Sequence, residues 1–376
     1  MRRTQFAVRA ALVALLSLSL AVGLGTASAK HAPHHGGHHG GKPRHGAGFD
    51  HVFIIMMENT GNDTLLGNPN APWINWAVQH YNVAGNYYGV THPSQPNYIA
   101  STSGSLNGVS SDNDTSLNVT NVVDQLEAKK LTWKAYMQSL NDCISGTATP
   151  TAITGETTNY KFDHACGDAH YGPQLYERKH NPFVTYQDVA TNAARMANIV
   201  DFTQLQSDLK SGKVANYNWI SPDQCHDMHG TAAPSTSDPC AYSQVSSLIS
   251  MGDAFLKSTV HEIMTSRVWH QNSAIFITWD EADYTGSGYQ GFADDSGCCD
   301  SPAAQGGGHV LTIVIPSRAG NDSSGTHDSF VPYNHYSMLS TVEHNWGLGC
   351  LGFTCDTKNV KPMTSLFGGH SKHGDR

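Results

Sequence analysis

Four short clusters carry the residue types that hydrolytic chemistry needs. Glu58-Asn59 sets a carboxylate beside an amide, and Asp280-Glu281 sets two carboxylates together. Ser221-Pro222-Asp223, followed by His226-Asp227-Met228-His229, mixes acids with imidazoles. Oxygen donors of this kind suit a hard divalent cation with imidazoles nearby. The remaining requirement is a nucleophile. Ser94 lies in Thr91-His92-Pro93-Ser94-Gln95-Pro96-Asn97-Tyr98, where two prolines narrow the backbone choices on either side. A serine held near a cation can be deprotonated and attack phosphorus. Each cluster also has an ordinary alternative. Glu58-Asn59 could cap a helix, Asp280-Glu281 could be a solvated turn, and a proline-bracketed serine could be a plain turn. His226 and His229 could be surface residues among the 22 histidines.

The surrounding pattern favours the chemical reading. Val52-Phe53-Ile54-Ile55-Met56-Met57 is a continuous apolar run of strand length, expected where a strand is buried on both faces. Similar runs recur at 215–220, 274–279 and 310–315. Between the second and third, Val245, Leu248, Ile249, Phe255, Leu256, Val260, Ile263 and Met264 fall on one side of a helix. Helix and strand in alternation predict an α/β fold, a mostly parallel sheet with helices on both faces. Three of the four runs end in a polar cluster, and ligands of open α/β sheets bind outside the carboxyl ends of strands. Gly/Asn/Ser/Asp-rich stretches at 101–121, 147–159, 231–239 and 286–308 read as surface insertions around one sheet.

These motifs, in this order, resemble a family of bacterial and fungal phosphoesterases. It includes acid phosphatases, phosphatidylinositol-phosphate phosphatases and phospholipases C. The resemblance rests on Ile55 to Asn59, His92 to Tyr98, Lys179-His180-Asn181-Pro182-Phe183, Ser221 to Gly230 and Thr278 to Glu281. Gly306-Gly307-Gly308-His309-Val310 and Tyr333-Asn334-His335-Tyr336-Ser337, continuing to Glu343, complete it. It implies an alkaline-phosphatase-like fold, with Glu58, Asn59, Asp280 and Glu281 holding a divalent metal ion and Ser94 facing it. The implied substrate is a phosphate ester, a class that includes phospholipids. His180 and His229 would contact the phosphate or protonate the leaving oxygen, with Lys179 balancing charge. Asn97, His309 and His335 join the substrate-facing set. Ser-x-Pro-Asn also resembles the Thr-Phe-Pro-Asn of nucleotide phosphodiesterases, which supports Ser94 over Ser101 or Ser103. Two positions depart from the family: Glu281, where many relatives carry Asp, and His226, where Asn is expected. The implied mechanism passes through phosphoserine. An imidazolium, His229 before His180, would protonate the leaving alcohol and suit an acid optimum.

Composition narrows the setting. Arg2, Arg3 and Arg9 precede an apolar run over 10–24, and Ala27-Ser28-Ala29 offers a small-x-small cleavage site. Residues 1–29 therefore read as a secretory signal peptide cut after Ala29, and the run is shorter than the ~20 residues a membrane span needs. Residues 30–48 form a Gly/His-rich leader without a core-forming pattern. The catalytic domain is expected over 49–366, with a flexible tail at 367–376. The net charge of −9 is the wrong sign for a nucleic-acid backbone binder. Eight cysteines in an exported chain read as disulfides. Proximity suggests Cys143–Cys166, Cys225–Cys240 and Cys350–Cys355. A bond between neighbours Cys298 and Cys299 would strain the peptide, which leaves each open to another partner. Two rival functions stay open: a phospholipase C with the same site, and a secreted metal-binding protein that uses the His-rich leader.

Overall fold

A continuous apolar run has no face to offer water, so the stretch from Val52 to Met57 belongs in the middle of a sheet. In the computed structural model it forms β1 (His51–Met57), buried at every position after His51. The structure describes residues 48–141, 165–166, 175–232, 237–282, 294–303, 305–317, 327–328 and 330–367. The expected signal peptide, nearly all of the leader and tail, and the proposed Cys143–Cys166 bond lie outside these residues.

In chain order there follow β2 (Asn82–Ala84), β3 (Tyr87–Tyr88), β4 (Trp133–Met137), β5 (Ala165–Cys166) and β6 (Tyr176–Glu177). Then come β7 (Ile199–Asp201), β8 (Tyr217–Ser221), β9 (Ser273–Trp279), β10 (Thr312–Pro316), β11 (His327–Asp328) and β12 (Tyr333–Asn334). Eight of them make one sheet in the order β11-β2-β10-β9-β1-β8-β4-β7. The stretch from β9 through β1, β8 and β4 to β7 is all parallel. Only β10 opposes both its neighbours, β9 and β2. The expected mostly parallel sheet is what the chain forms.

Register sets the working edge. Met57 pairs with Trp279, and Ile55 with Ile220, so β9, β1 and β8 end together. Backbone bonds lock those ends: Glu58 N donates to Asp227 O, and Asp280 N donates to Met57 O, both at 2.9 Å.

Helices pack around the sheet in two groups. The periodic stretch forms the helix Val245–Thr265, with Leu248, Ile249, Phe255, Leu256, Val260 and Ile263 buried. It packs on the helix Pro72–His80, whose Trp73 and Ile74 N–H groups donate to Asp253 at 3.1 and 2.8 Å. The helix Ser94–Ser103 is buried along its whole length and packs on the helix His335–Trp346. The stretch 101–121 is thus helical for its first three residues, and Gly104, in the left-handed region at φ +70°, ends the helix.

Cys225–Cys240 and Cys350–Cys355 are bonded as proximity suggested. Cys298 and Cys299 are bonded to each other rather than to other partners.

Candidate active site

The β1 end delivers Glu58 and Asn59 into the interior, where both are buried. Asn59 turns the chain at φ +38°, a conformation asparagine tolerates better than most residues. Its N–H donates to Asp280 Oδ1 at 3.2 Å, which ties the β1 end to the β9 end. The backbones approach so closely here that a Cβ on Gly89 would meet Gly307 O at 2.7 Å and Asp280 O at 2.8 Å. No other residue fits at that position.

Ser94 opens its helix, and its hydroxyl reaches three of the four expected metal ligands. Oγ lies 3.1 Å from Glu58 Oε2, 3.1 Å from Glu281 Oε1 and 3.5 Å from Asn59 Oδ1. One turn on, the Tyr98 hydroxyl donates to Glu58 Oε1 at 2.6 Å. The i, i+4 spacing places both hydroxyls on one helix face. Glu281 is gripped from its other side by His92, with Nδ1 2.5 Å from Oε2, while His92 Nε2 donates to Asp294 O at 3.1 Å.

The β8 end supplies the next wall. Met228, at φ +85°, bends the chain so that His229 N donates to Asp227 Oδ1 at 2.7 Å, an Asx turn. His180 lies between two acids, Nε2 3.2 Å from Glu58 Oε1 and Nδ1 3.5 Å from Asp227 Oδ2. Its ring stacks on Tyr98, with centroids 5.4 Å apart. Lys179 Nζ, at the site's rim, donates to Asp112 Oδ2 at 3.0 Å.

Four buried carboxylates therefore share one space: Glu58, Asp227, Asp280 and Glu281. Burial pushes the pKa of each upward, and their mutual repulsion adds to it for all but Glu281, where His92 pulls back. His92 shows the converse. Burial opposes its charge, yet the bond to Glu281 wins and raises its pKa to about 9. His180 and His229 are pushed down, by burial first and by the Lys179 ammonium second, His229 to about 3. Both surroundings thus disfavour the charged imidazole, which runs against the expected imidazolium donor. His229 Nδ1 faces Gly230 O at 2.8 Å, so that nitrogen carries the proton and Nε2 keeps its lone pair.

Three other assignments change. Asn97 does not face substrate: its Oδ1 accepts from Val90 N and Thr91 N, and its Nδ2 donates to Thr91 O and Pro93 O. It holds the turn that delivers Ser94. Both nitrogens of His335 are engaged, by the Tyr87 hydroxyl and by Asp280 O, so it buttresses the β9 end. His309 Nε2 donates to Gly85 O. His226, at the position that departs from the family, pairs through Nδ1 with Asp223 Oδ1 at 2.7 Å. The partners that sequence reading missed are His92, Tyr98, Asp112 and Asp294, and Asp227 was read only as one member of its cluster. His92, Tyr98 and Asp227 lie inside the quoted motifs, but no local signal assigns them a contact.

The donor chemistry fits a hard divalent cation. Carboxylates, an amide and a hydroxyl converge, and Asp280 Oδ2 and Asp227 Oδ2 are buried without a hydrogen-bond partner. Among the described residues no three His, Cys, Asp or Glu side chains form a ready cage. The donors gather around Ser94 Oγ at hydrogen-bond distances, longer than the roughly 2.0–2.6 Å of direct coordination.

Known proteins of similar sequence include named phosphatases. The chain is 28% identical over 309 residues to a probable acid phosphatase of Kluyveromyces lactis, covering 82% of this chain and 60% of that one. It is 24% identical to a phosphatidylinositol-3-phosphatase of Mycobacterium tuberculosis over 85% of this chain and 83% of that one. The chain thus spans about 60% of the length of the fungal relative. The phosphonate monoester hydrolase of Agrobacterium radiobacter shares the fold, with a TM-score of 0.50 at 13% identity over 87% of this chain and 79% of that one. The Phosphoesterase family matches residues 68–349, which contain Ser94, His180, Asp280 and Glu281, and the chain belongs to that family.

Proposed function

We propose that this protein hydrolyses phosphate monoesters through Ser94, with Glu58, Asn59, Asp280 and Glu281 holding a divalent cation. The observation that carries the reading is the position of Ser94 Oγ, which touches Glu58, Asn59 and Glu281 at once. Such a cation, when bound, supplies a Lewis acid for the phosphoryl oxygens and lowers the pKa of the hydroxyl beside it. The chain's own residues do the rest. Ser94 attacks phosphorus in line as the P–O bond to the alcohol breaks; its proton passes to a carboxylate that already accepts its hydrogen bond and from there to the departing alcohol oxygen. The Lys179 ammonium offsets the charge of the bound phosphate. His229 Nε2, unprotonated, accepts a proton from the water that resolves the phosphoserine.

The kinship with a phosphatidylinositol-3-phosphatase supports a phosphoinositide head group as one substrate. The disulfides Cys225–Cys240, Cys298–Cys299 and Cys350–Cys355 support export to an oxidising compartment.

A panel assay tests the reading. p-Nitrophenyl phosphate, bis-p-nitrophenyl phosphate, phosphatidylcholine and phosphoinositides are compared with and without chelator. Phosphate release from the monoesters, lost on chelation and restored by a divalent ion, is expected. Turnover of diesters alone overturns the monoesterase assignment in favour of a phospholipase C. Full activity after exhaustive chelation, with metal absent by elemental analysis, overturns the metal.

A further inference from the structure

The segment 111–115 lies in a Gly/Asn/Ser/Asp-rich stretch that reads as a surface insertion, yet it is bonded to both halves of the site. Gln95, the second residue of the Ser94 helix, donates through Nε2 to Ser111 O at 2.9 Å and Asn113 O at 2.6 Å. Arg178, one residue before Lys179, donates to Asp114 Oδ1 at 3.1 Å and Thr115 O at 3.0 Å. Asp112 sits between them with both oxygens in use. Oδ1 accepts from Gln95 N at 2.9 Å and Oδ2 from Lys179 Nζ at 3.0 Å. The Ser94 helix has no side-chain cap of its own at its N-terminus, so Asp112 serves as a remote cap.

We propose that Asp112 is a positioning residue, one carboxylate that fixes Lys179 relative to Ser94 so that the ammonium meets a phosphate dianion at the rim. The proposal rests on the phosphatase reading and deepens it. Lysine is a point charge on a flexible four-carbon stem, and its direction is set by whichever anion holds it. Three anions act on Lys179: Asp112, to which it donates, and Glu58 and Glu177, whose fields also reach it. The Lys179 side chain is 17% exposed and that of Asp112 32%, so the pair is within reach of solvent. Without Asp112 the ammonium turns inward to Glu58 and is lost to the phosphate.

A double-mutant cycle decides it. Asp112→Asn keeps an oxygen acceptor for Gln95 N and nearly the same shape, so the fold is preserved, as the melting temperature checks. With p-nitrophenyl phosphate, Asp112→Asn and Lys179→Ala should each raise KM about tenfold, with kcat changing less than about threefold. In the Lys179→Ala background Asp112→Asn should add nothing further to KM, because it acts through that lysine. Asp112→Glu, which keeps the charge, should recover part of the loss. Additive effects on KM refute the proposal, as does a KM lowered by Asp112→Asn, which would mean that the carboxylate only repels substrate. A wild-type protein that releases no phosphate defeats the phosphatase reading instead. The same cycle run on inorganic phosphate binding by calorimetry then decides the role of Asp112 separately.

Discussion

Replacing Ser94 with alanine removes the hydroxyl proposed for attack, and its neighbours among the described residues are otherwise engaged. Ser101 Oγ donates to Tyr98 O at 2.8 Å, and Ser103 Oγ to Ile99 O at 2.9 Å, so both are turned back onto their own helix. The Thr91 hydroxyl donates to His92 O, and that of Thr60 to Glu58 O. Tyr98 reaches Glu58 but is held protonated, its pKa raised by burial and by Glu58. No neighbour can stand in. Turnover should fall by several orders of magnitude, about 4–8 kcal/mol of transition-state free energy at roughly 1.36 kcal/mol per tenfold. The fold should lose far less. Glu58 Oε2 and Glu281 Oε1 each lose a donor, but Glu281 keeps His92 and Glu58 keeps Tyr98. A cost of about 1–3 kcal/mol is expected from that loss. Single-turnover release of p-nitrophenol measures the first quantity and denaturant unfolding the second. Acid trapping with labelled substrate should place phosphate on the peptide containing Ser94. Ser94→Thr keeps the hydroxyl and should restore part of the rate, limited by a methyl group added at a position only 1% exposed. Near-normal turnover in Ser94→Ala, or label on a histidine, would refute the assignment.

Two further outcomes are expected. Glu343 in the helix His335–Trp346 is raised from 4.5 to about 7 by burial, against hydrogen bonds from Thr354 and Gln125 that pull the other way. The native state therefore holds this proton more tightly than the unfolded chain, and stability falls as pH rises from about 4.5 to 7, by at most roughly 3 kcal/mol. Glu343→Gln keeps the acceptor for Gln125 and should flatten that part of the melting-temperature profile, gaining most above pH 7. Parallel profiles for variant and wild type would show that the group does not titrate this way. Thiol labelling of the native protein should find none of Cys225, Cys240, Cys298, Cys299, Cys350 and Cys355. Loss of Cys225–Cys240, which spans 15 residues, should cost about 3 kcal/mol in chemical unfolding; ready labelling of all six would overturn the oxidised state.

The parts legible in the sequence are those whose cause is local. A strand buried on both faces is mostly apolar, so β1 and β9 stand out within a residue or two, β8 less sharply because Asn218 and Ser221 interrupt it, and the helix Val245–Thr265 shows in its period. β2, β4 and β7 are short and mixed, as in Trp133-Lys134-Ala135-Tyr136-Met137, and no pattern marks them. In the candidate site, Glu58-Asn59, Ser94 and Asp280-Glu281 stand out in the sequence because each sits where a strand or turn ends, and the structure brings Ser94 Oγ against Glu58, Asn59 and Glu281. Asn97, His309 and His335 were assigned to substrate by motif membership, whereas their bonds go to backbone atoms and the Tyr87 hydroxyl. That distinction depends on partners far away in sequence. The bond between His335 and Asp280 O spans 55 positions, that between His92 and Glu281 189, and that between Lys179 and Asp112 67.

Charge balance ties the reading together. A phosphate monoester, the proposed substrate, would arrive as an anion at a space holding Glu58, Asp227, Asp280 and Glu281, all buried. Ion pairing offsets part of this. His92 is committed to Glu281, and Lys179 to Asp112 at the rim, so Glu58, Asp227 and Asp280 have no cationic side chain in direct contact among the described residues unless His180 gains a proton. Burying carboxylates without an opposite charge costs a protein several kcal/mol each, and a chain built only for stability would replace them with apolar side chains of similar size. The opposite has happened at the ends of β1, β8 and β9, the three strands whose register places them side by side. Such an arrangement is intelligible if the missing positive charge comes with the working enzyme. It would lower the cost of the carboxylates and turn a repulsive pocket into one that attracts phosphate. The buried, unpartnered Oδ2 atoms of Asp280 and Asp227 are where that charge would be felt first.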